Sequence, residues 1–399
     1  MNLRKDSRPP RILLRSSWQC INIGDVAHTP GALAVIEKNI PEAEVILWAS
    51  SNLTYQAAHM LQKRFPKVKI VTGKIRKDGI GENEELDKAL KWCDMLLHGS
   101  ASALGARDDV RSFLDYVKKP YGVFGITYGG IVEKELLDRA KFVFFRDPLS
   151  LEKAKADGIE CPIMEFGPDG AFGTDLANDR SAEYFLRENC LEEGKFMCCI
   201  PRLRYTPYWK ISTAPYSKEK DERNIEMKEH DHAPLREAII SVVKETGMKI
   251  LVCPEDSSQM AVGKEMIVDK LPEDIKKNVV WREKFWLPDE ALSIYRKSAG
   301  LFGNEMHSPI MCIANGIPAV VCRFAEQTTK GYMWRTIGLG EWLFDLDIPE
   351  EVANIAPTVL SVAKDPKAAK QKAEKAREFV IKRQEYMCEV LKNTLDRIK

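Results

Sequence analysis

Long apolar runs are missing from this chain: no eighteen consecutive apolar residues occur in its 399, so no membrane-spanning helix is expected. Residues 1–10 are polar and basic, and the apolar Ile12-Leu13-Leu14 is cut short by Arg15, which excludes the hydrophobic region of a secretory signal and leads to the expectation of a cytoplasmic protein. An excess of one charge is also missing. Sixty Lys and Arg stand against 59 Asp and Glu, a net charge near +1, so no global field favours nucleic acid or an anionic membrane and any anion recognition must be local. The ten cysteines (20, 93, 161, 190, 198, 199, 253, 312, 322 and 388) form no C-x-x-C pair, which speaks against a zinc site, and their apolar settings read as buried thiols. The G-x-G-x-x-G fingerprint of dinucleotide folds is absent, as are internal repeats and low-complexity tracts. No metal and no cofactor are expected.

What is present is a rhythm. Strand-like segments at 11–14, 44–48, 69–71, 95–98, 121–126 and 142–146 alternate with amphipathic segments at 31–39, 55–65, 83–92, 110–117, 132–139 and 148–157. This βαβα order predicts an α/β fold with a mostly parallel sheet covered on both faces. A stretch rich in Gly, Pro, Asp and Asn at 167–179 and a short helix at 181–189 lead to a second series, with strands at 195–200, 249–253, 279–281 and 300–303 and helices at 233–245 and 289–297. The length exceeds what one core usually sustains. The expectation is therefore two Rossmann-like domains, at 10–180 and 190–350, with C-terminal helices at 351–399 packing back through apolar positions such as Val362, Phe379, Val380 and Leu391. Segment 201–232 is too long for an ordinary βα loop and reads as a lid or binding loop.

Chemistry-bearing residues collect where predicted strands end. Gly303 closes an apolar strand, and Asn304, Glu305, Met306, His307 and Ser308 crowd the turn before a helix whose first turn accepts Pro309. The helix stops at Asn315-Gly316, and Ile317 to Val321 begin the next strand. In parallel α/β sheets ligands bind at such strand ends, where free N–H groups and the helix dipole favour an anion. His307 is the side chain there most readily poised for proton transfer near neutral pH. Arg202 and Arg204, at the end of strand 195–200, are suited to bidentate contact with phosphate or carboxylate, or to plain salt bridges. Glu255 and Asp256 end the next strand, and Glu326, Gln327 and Lys330 follow the Pro318 strand. In the first half, Asn22-Ile23-Gly24-Asp25, with His28, follows the first strand; Asp25 suits hydroxyl activation, or capping of the next helix together with Thr29. Glycines 122, 125, 129 and 130 with Thr127-Tyr128 mark a close backbone approach or a tight turn. In Arg146-Asp147-Pro148-Leu149-Ser150 the Asp and Pro read as a helix start, which leaves Arg146 unexplained. Trp209, Trp281, Trp286, Trp334 and Trp342 suit sugar stacking or the core.

Taken in order, Asn22-Ile23-Gly24-Asp25, Arg146-Asp147-Pro148-x-Ser150, Gly167-Pro168-Asp169-Gly170-Ala171-Phe172, the strand ending in Arg202 and Arg204, and His307 leading into Ala314-Asn315-Gly316-Ile317-Pro318 resemble the polysaccharide pyruvyl transferase family over residues 11 to about 345. The resemblance implies a GT-B-like fold with an active site in the cleft between two Rossmann-type domains and C-terminal crossing helices. It also implies transfer of the enolpyruvyl carbons of phosphoenolpyruvate onto hydroxyls of a sugar or lipid-linked saccharide, with phosphate released. Carried over, Arg202 or Arg204 would bind the donor and His307 would be the catalytic or donor-binding histidine; the residue reading adds Asp25 as the group that activates the acceptor. Asn22, Arg146, Ser308 and Lys330 would complete the substrate contacts. Glu305 stands where the family usually has an arginine, two residues before the histidine, and so would repel the donor unless protonated or paired with Arg204 or Lys330. Two rivals remain: a GT-B-type glycosyltransferase using a nucleotide-sugar, with diphosphate near Ser308, and a non-catalytic saccharide-binding protein on the same fold.

Overall fold

A computed structural model describes residues 8–398, so most of the basic stretch 1–10 lies outside the described residues. The chain divides into two compact units, one made of residues up to 20, 25–175 and from 380 onward, the other of 21–24 and 176–379.

In the first unit the strands are β1 (Arg11–Ser16), β2 (Glu44–Ala49), β3 (Lys69–Val71), β4 (Met95–His98), β5 (Tyr121–Ile126), β6 (Val143–Phe145) and β7 (Met164–Phe166). They form one sheet in the order β3-β2-β1-β4-β5-β6-β7, and every pairing is parallel. Strands β4, β5 and β6 are buried at every position, as expected where helices cover both faces and an apolar run replaces alternation. Each fully buried Leu, Val or Phe in them contributes about 1.5–3 kcal/mol.

The second unit repeats the plan with β8 (Phe196–Ile200), β9 (Lys249–Val252), β10 (Val279–Trp281), β11 (Gly300–Gly303), β12 (Ala319–Arg323) and β13 (Leu343–Asp345) in the order β10-β9-β8-β11-β12-β13. All its pairings are parallel too. The chain runs outward from β8 to β10 and then returns to lay β11 on the other side of β8. That reversal is a topological switch point, where helices diverge from the strand ends and leave a crevice. Gly303 pairs with Ile200 across it. With φ of 150° and an added Cβ only 2.2 Å from the Ile200 carbonyl oxygen, this position admits glycine alone without displacement of backbone.

Several expectations need correction. Strands β7 and β13 are additional to those expected: each has three residues of which one is acidic, Glu165 and Asp345, so neither reads as an apolar run. The first helix is Ile23–Asn39 rather than 31–39, because Pro30 and Gly31, which read as a helix start, lie inside it. Segment 201–232 is not an open loop: a turn at Tyr208–Ile211 precedes a helix over Lys218–Thr246, with Pro234 in its interior. Its first half is rich in Lys, Glu and Arg, which favour helix without an apolar stripe to announce it. Eight of the ten cysteines are buried thiols as expected, but Cys20 is partly exposed and Cys190 exposed.

The last helix, Pro366–Ile398, starts in the second unit and ends in the first. In the first unit its Arg383 donates to Glu165 at 2.9 Å and to the Phe166 carbonyl at 2.5 Å, and Tyr386 donates to Glu165 at 2.7 Å, which covers the edge strand β7. Val380 and Leu391 are buried, whereas Phe379 is exposed. Among the described residues no helix is long and apolar enough to cross a membrane.

Candidate functional site

In the second unit the C-terminal ends of β8, β9, β11 and β12 bring together Arg202, Glu255, Asp256, Glu305, His307 and Lys330. The helix His307–Ala314 begins immediately beyond β11, and its first turn receives a side chain from the segment after β9. Glu255 accepts the Ser308 N–H at 2.6 Å through Oε2, while its Oε1 lies 3.2 Å from His307 Nδ1. A carboxylate here satisfies an orphan N–H and complements the helix dipole. It also favours the proton on Nδ1 and leaves Nε2 as the acceptor. Lys330 Nζ stands 3.1 Å from Nε2 and 3.4 Å from Nδ1. All three side chains are buried or nearly so, Glu255 at 0%, His307 at 5% and Lys330 at 8% exposure.

Arg202, half-buried, donates from Nη1 to Glu305 Oε2 at 3.1 Å. Glu305 Oε1 accepts from Gln259 Nε2 at 2.7 Å, and the same Gln259 reaches Asp256 at 3.2 Å. Burial pushes the Glu305 carboxyl up to about 7, against the pull of Arg202 and with the help of the Glu255 charge. Burial likewise raises Asp256, and the Glu305 charge adds to it.

The Asn22-Ile23-Gly24 segment belongs to this unit and lies along the Glu255 loop. Ile23 N–H donates to the Glu255 carbonyl at 2.9 Å, Ser257 N–H to the Ile21 carbonyl at 3.1 Å, and Asn22 bridges Asp256. This places Gly24 directly against the imidazole, where an added Cβ would fall 2.1 Å from His307 Cβ and Nδ1. Glycine in this motif is therefore a requirement of close approach. Gly24→Ala is expected to displace the ring and lower turnover by about tenfold or more, with unfolding still cooperative; a variant turning over at the wild-type rate would show that the ring tolerates the shift.

Other expected site residues are engaged elsewhere. Arg204 is 2% exposed, its guanidinium bound twice by Asp231 at 2.9 Å, by Glu326 at 2.9 Å and by Asp347 at 2.6 Å. Three carboxylates leave it no face for a donor anion, and Glu305 pairs with Arg202 rather than with Arg204. Ser308 spends its N–H on Glu255, and its hydroxyl lies 3.2 Å from that of Tyr295. Asn22 Oδ1 accepts the Gly24 N–H at 2.8 Å, as a helix cap does.

Arg146 and Asp25 belong to the first unit. Arg146, 1% exposed, donates to Thr127 at 2.8 Å and to Asp169 at 2.7 Å, while Asp169 also lies 3.1 Å from His28 and caps Ala171 at 2.9 Å. Asp147 caps its helix through Ser150 N–H at 2.8 Å. The Arg146 and Asp169 motifs thus meet as one buried pair that holds the ends of β5, β6 and β7. Asp25, in the first turn of its helix, accepts from Gln19. Trp286, Trp334 and Trp342 are in the core, which removes them as sugar platforms, and Trp281 is half-buried with its indole N–H on Met260.

Gln259 is the site residue that sequence reasoning missed, and Glu255 was placed at the strand end without a role. Glu255 carried a signal, a carboxylate at a strand end; Gln259 carried none, since only the turn after β9 aims it at Glu305.

Solved structures share this fold at low identity. A putative UDP-N-acetylglucosamine 2-epimerase from Listeria monocytogenes superposes with a TM-score of 0.59 at 13% identity, covering 94% of both chains. Anabaena Alr3699/HepE in complex with UDP and glucose gives 0.56 at 10% identity, over 96% of this chain and all of that one. E. coli ADP-heptose lps heptosyltransferase II gives 0.51 at 14%, over 92% and 99%. These likenesses establish two Rossmann-like domains of GT-B type. No curated protein matches the chain. The model of the polysaccharide pyruvyl transferase family matches residues 22–324, a span that runs from the Asn22 motif through the strand ends bearing Arg202, Glu255 and His307 to Phe324, and the chain belongs to that family.

Proposed function

We propose that the protein transfers the pyruvyl group of phosphoenolpyruvate onto two hydroxyls of a saccharide precursor, free or lipid-linked, and releases phosphate. The observation that carries this reading is His307 held between Glu255 and Lys330, with Arg202 alongside. Arg202 and Lys330 supply cations for the donor's carboxylate and phosphate. His307, with Nδ1 on Glu255 and Nε2 against Lys330, is the group proposed to move a proton between an acceptor hydroxyl and the donor. Asp25, the residue that follows Gly24, is the proposed base for the acceptor hydroxyl. No metal or cofactor enters this scheme.

The nucleotide-sugar reading has one observation in its favour, since relatives in fold were solved with UDP. Against it, the Ser308 N–H in the first turn of the helix after β11, where a diphosphate would be expected to sit, is taken by Glu255. Calorimetry of phosphoenolpyruvate, UDP and UDP-glucose with the full chain separates the two. The expected result is saturable binding of phosphoenolpyruvate, weakened by about tenfold or more in Arg202→Ala because a charge-assisted contact is lost. Binding of a nucleotide with no response to phosphoenolpyruvate would replace this reading by glycosyl transfer.

A further inference from the structure

Arg202 is proposed above as a donor-binding cation, yet the side chain on its Nη1 is a carboxylate of the protein itself, Glu305, at 3.1 Å. Glu305 is 1% exposed and its other oxygen is fixed by Gln259 at 2.7 Å, so it has no route to turn away into solvent. The charged and titratable groups that face it are Arg202 from the end of β8, Glu255 and Asp256 from the loop after β9, His307 from the helix after β11 and Lys330 from the segment after β12. Three carboxylates thus share two basic side chains. A donor carrying carboxylate and phosphate on those same cations would meet the Glu305 charge at close range, in a site where burial weakens screening. A proton on Glu305 removes that repulsion and converts an acceptor into a donor aimed at the incoming anion.

We propose that Glu305 makes donor binding proton-coupled: phosphoenolpyruvate seats on Arg202 and Lys330 together with one proton, which Glu305 takes from solvent and uses to donate a hydrogen bond to a donor oxygen. The proposal rests on the pyruvyl-transfer reading and adds to it a residue that selects the donor by protonation state. Burial and the neighbouring Glu255 already pull this carboxyl in that direction, up to about 7 in the free protein, so the proton is taken up readily near neutral pH.

The test is calorimetry of phosphoenolpyruvate with the full chain at about pH 8, in phosphate-free buffers of different ionisation enthalpy, where the slope of observed heat against buffer enthalpy counts protons taken up. Wild type is expected to take up about one proton per donor, and to lose affinity by about tenfold per pH unit above neutrality. At about pH 5.5 the uptake is expected to vanish, because Glu305 is then already protonated. Glu305→Gln is expected to bind with no uptake and with a flat pH dependence, while Glu305→Asp retains the uptake. Thermal unfolding of each variant reports its folding. Should Glu305→Gln not fold, wild-type uptake at about pH 8 that is lost at about pH 5.5 and retained in His307→Gln decides the matter. Uptake that persists in Glu305→Gln and disappears in His307→Gln would overturn the proposal and leave the donor reading intact. Wild type that binds no phosphoenolpyruvate at either pH would overturn both.

Discussion

Replacing His307 by glutamine is expected to slow the proposed pyruvyl transfer by about 10²–10⁴-fold, the usual contribution of a positioned proton-transfer group. Glutamine keeps an amide within reach of Glu255 but cannot accept and release a proton. The imidazole is held on two sides, by Glu255 Oε1 at 3.2 Å and by Lys330 Nζ at 3.1 Å, and Gly24 closes on it from a third, so its orientation is determined before any substrate arrives. Such preorganisation is what makes a proton shuttle efficient. The measurement is phosphate release from phosphoenolpyruvate in the presence of a saccharide acceptor, with thermal unfolding alongside. Wild-type turnover in a folded His307→Gln would remove the histidine from the chemistry.

Arg204→Ala is expected to cost about 3–5 kcal/mol of stability at neutral pH, because it leaves buried carboxylates without their partner. Asp231 is 1% exposed and receives both arms of the Arg204 fork. Glu326 and Asp347 are held below the usual carboxylate range: burial raises each, but hydrogen bonds from Arg223 to Glu326 and from Arg204 to Asp347 outweigh it. A carboxylate whose folded value is depressed stabilises above its unfolded value and loses that contribution as pH falls through the folded one. The deficit of Arg204→Ala should therefore be full at pH 7 and shrink below the ordinary carboxylate range. Urea unfolding at pH 7 and about pH 3 measures both. An equal deficit at the two pH values would show that the guanidinium stabilises by packing on Phe324 rather than by charge. Arg202, two residues earlier, makes one ion pair to a side chain and is half-buried. The two arginines are alike in the chain and opposite in their surroundings.

The fold was legible because its strands announce themselves. Apolar runs such as Phe196–Ile200 and Ala319–Arg323, separated by amphipathic helices, can be buried only in a parallel sheet covered on both faces. The elements that escaped were those with weak patterns: the three-residue edge strands β7 and β13, and the charged first half of the helix Lys218–Thr246. The site was legible in outline for a similar reason. Strand ends in such sheets face one edge, so Arg202, Glu255, His307 and Lys330 could be grouped before their contacts were known.

Their roles could not be assigned in advance. Position in the chain does not say which of Arg202 and Arg204 lies among Asp231, Glu326 and Asp347, because those partners come from segments 27 to 143 residues away. Nor does it say that Arg146 and Asp169, from two separate motifs, form a single buried pair. The amino-acid sequence by itself determined the α/β class, the two-domain plan and the strand ends that carry charge, since local hydrophobic period and turn chemistry suffice for these. Only the tertiary structure decided which charges meet. Pairing, burial and the protonation of Glu305 depend on distances between strands that the chain order leaves open.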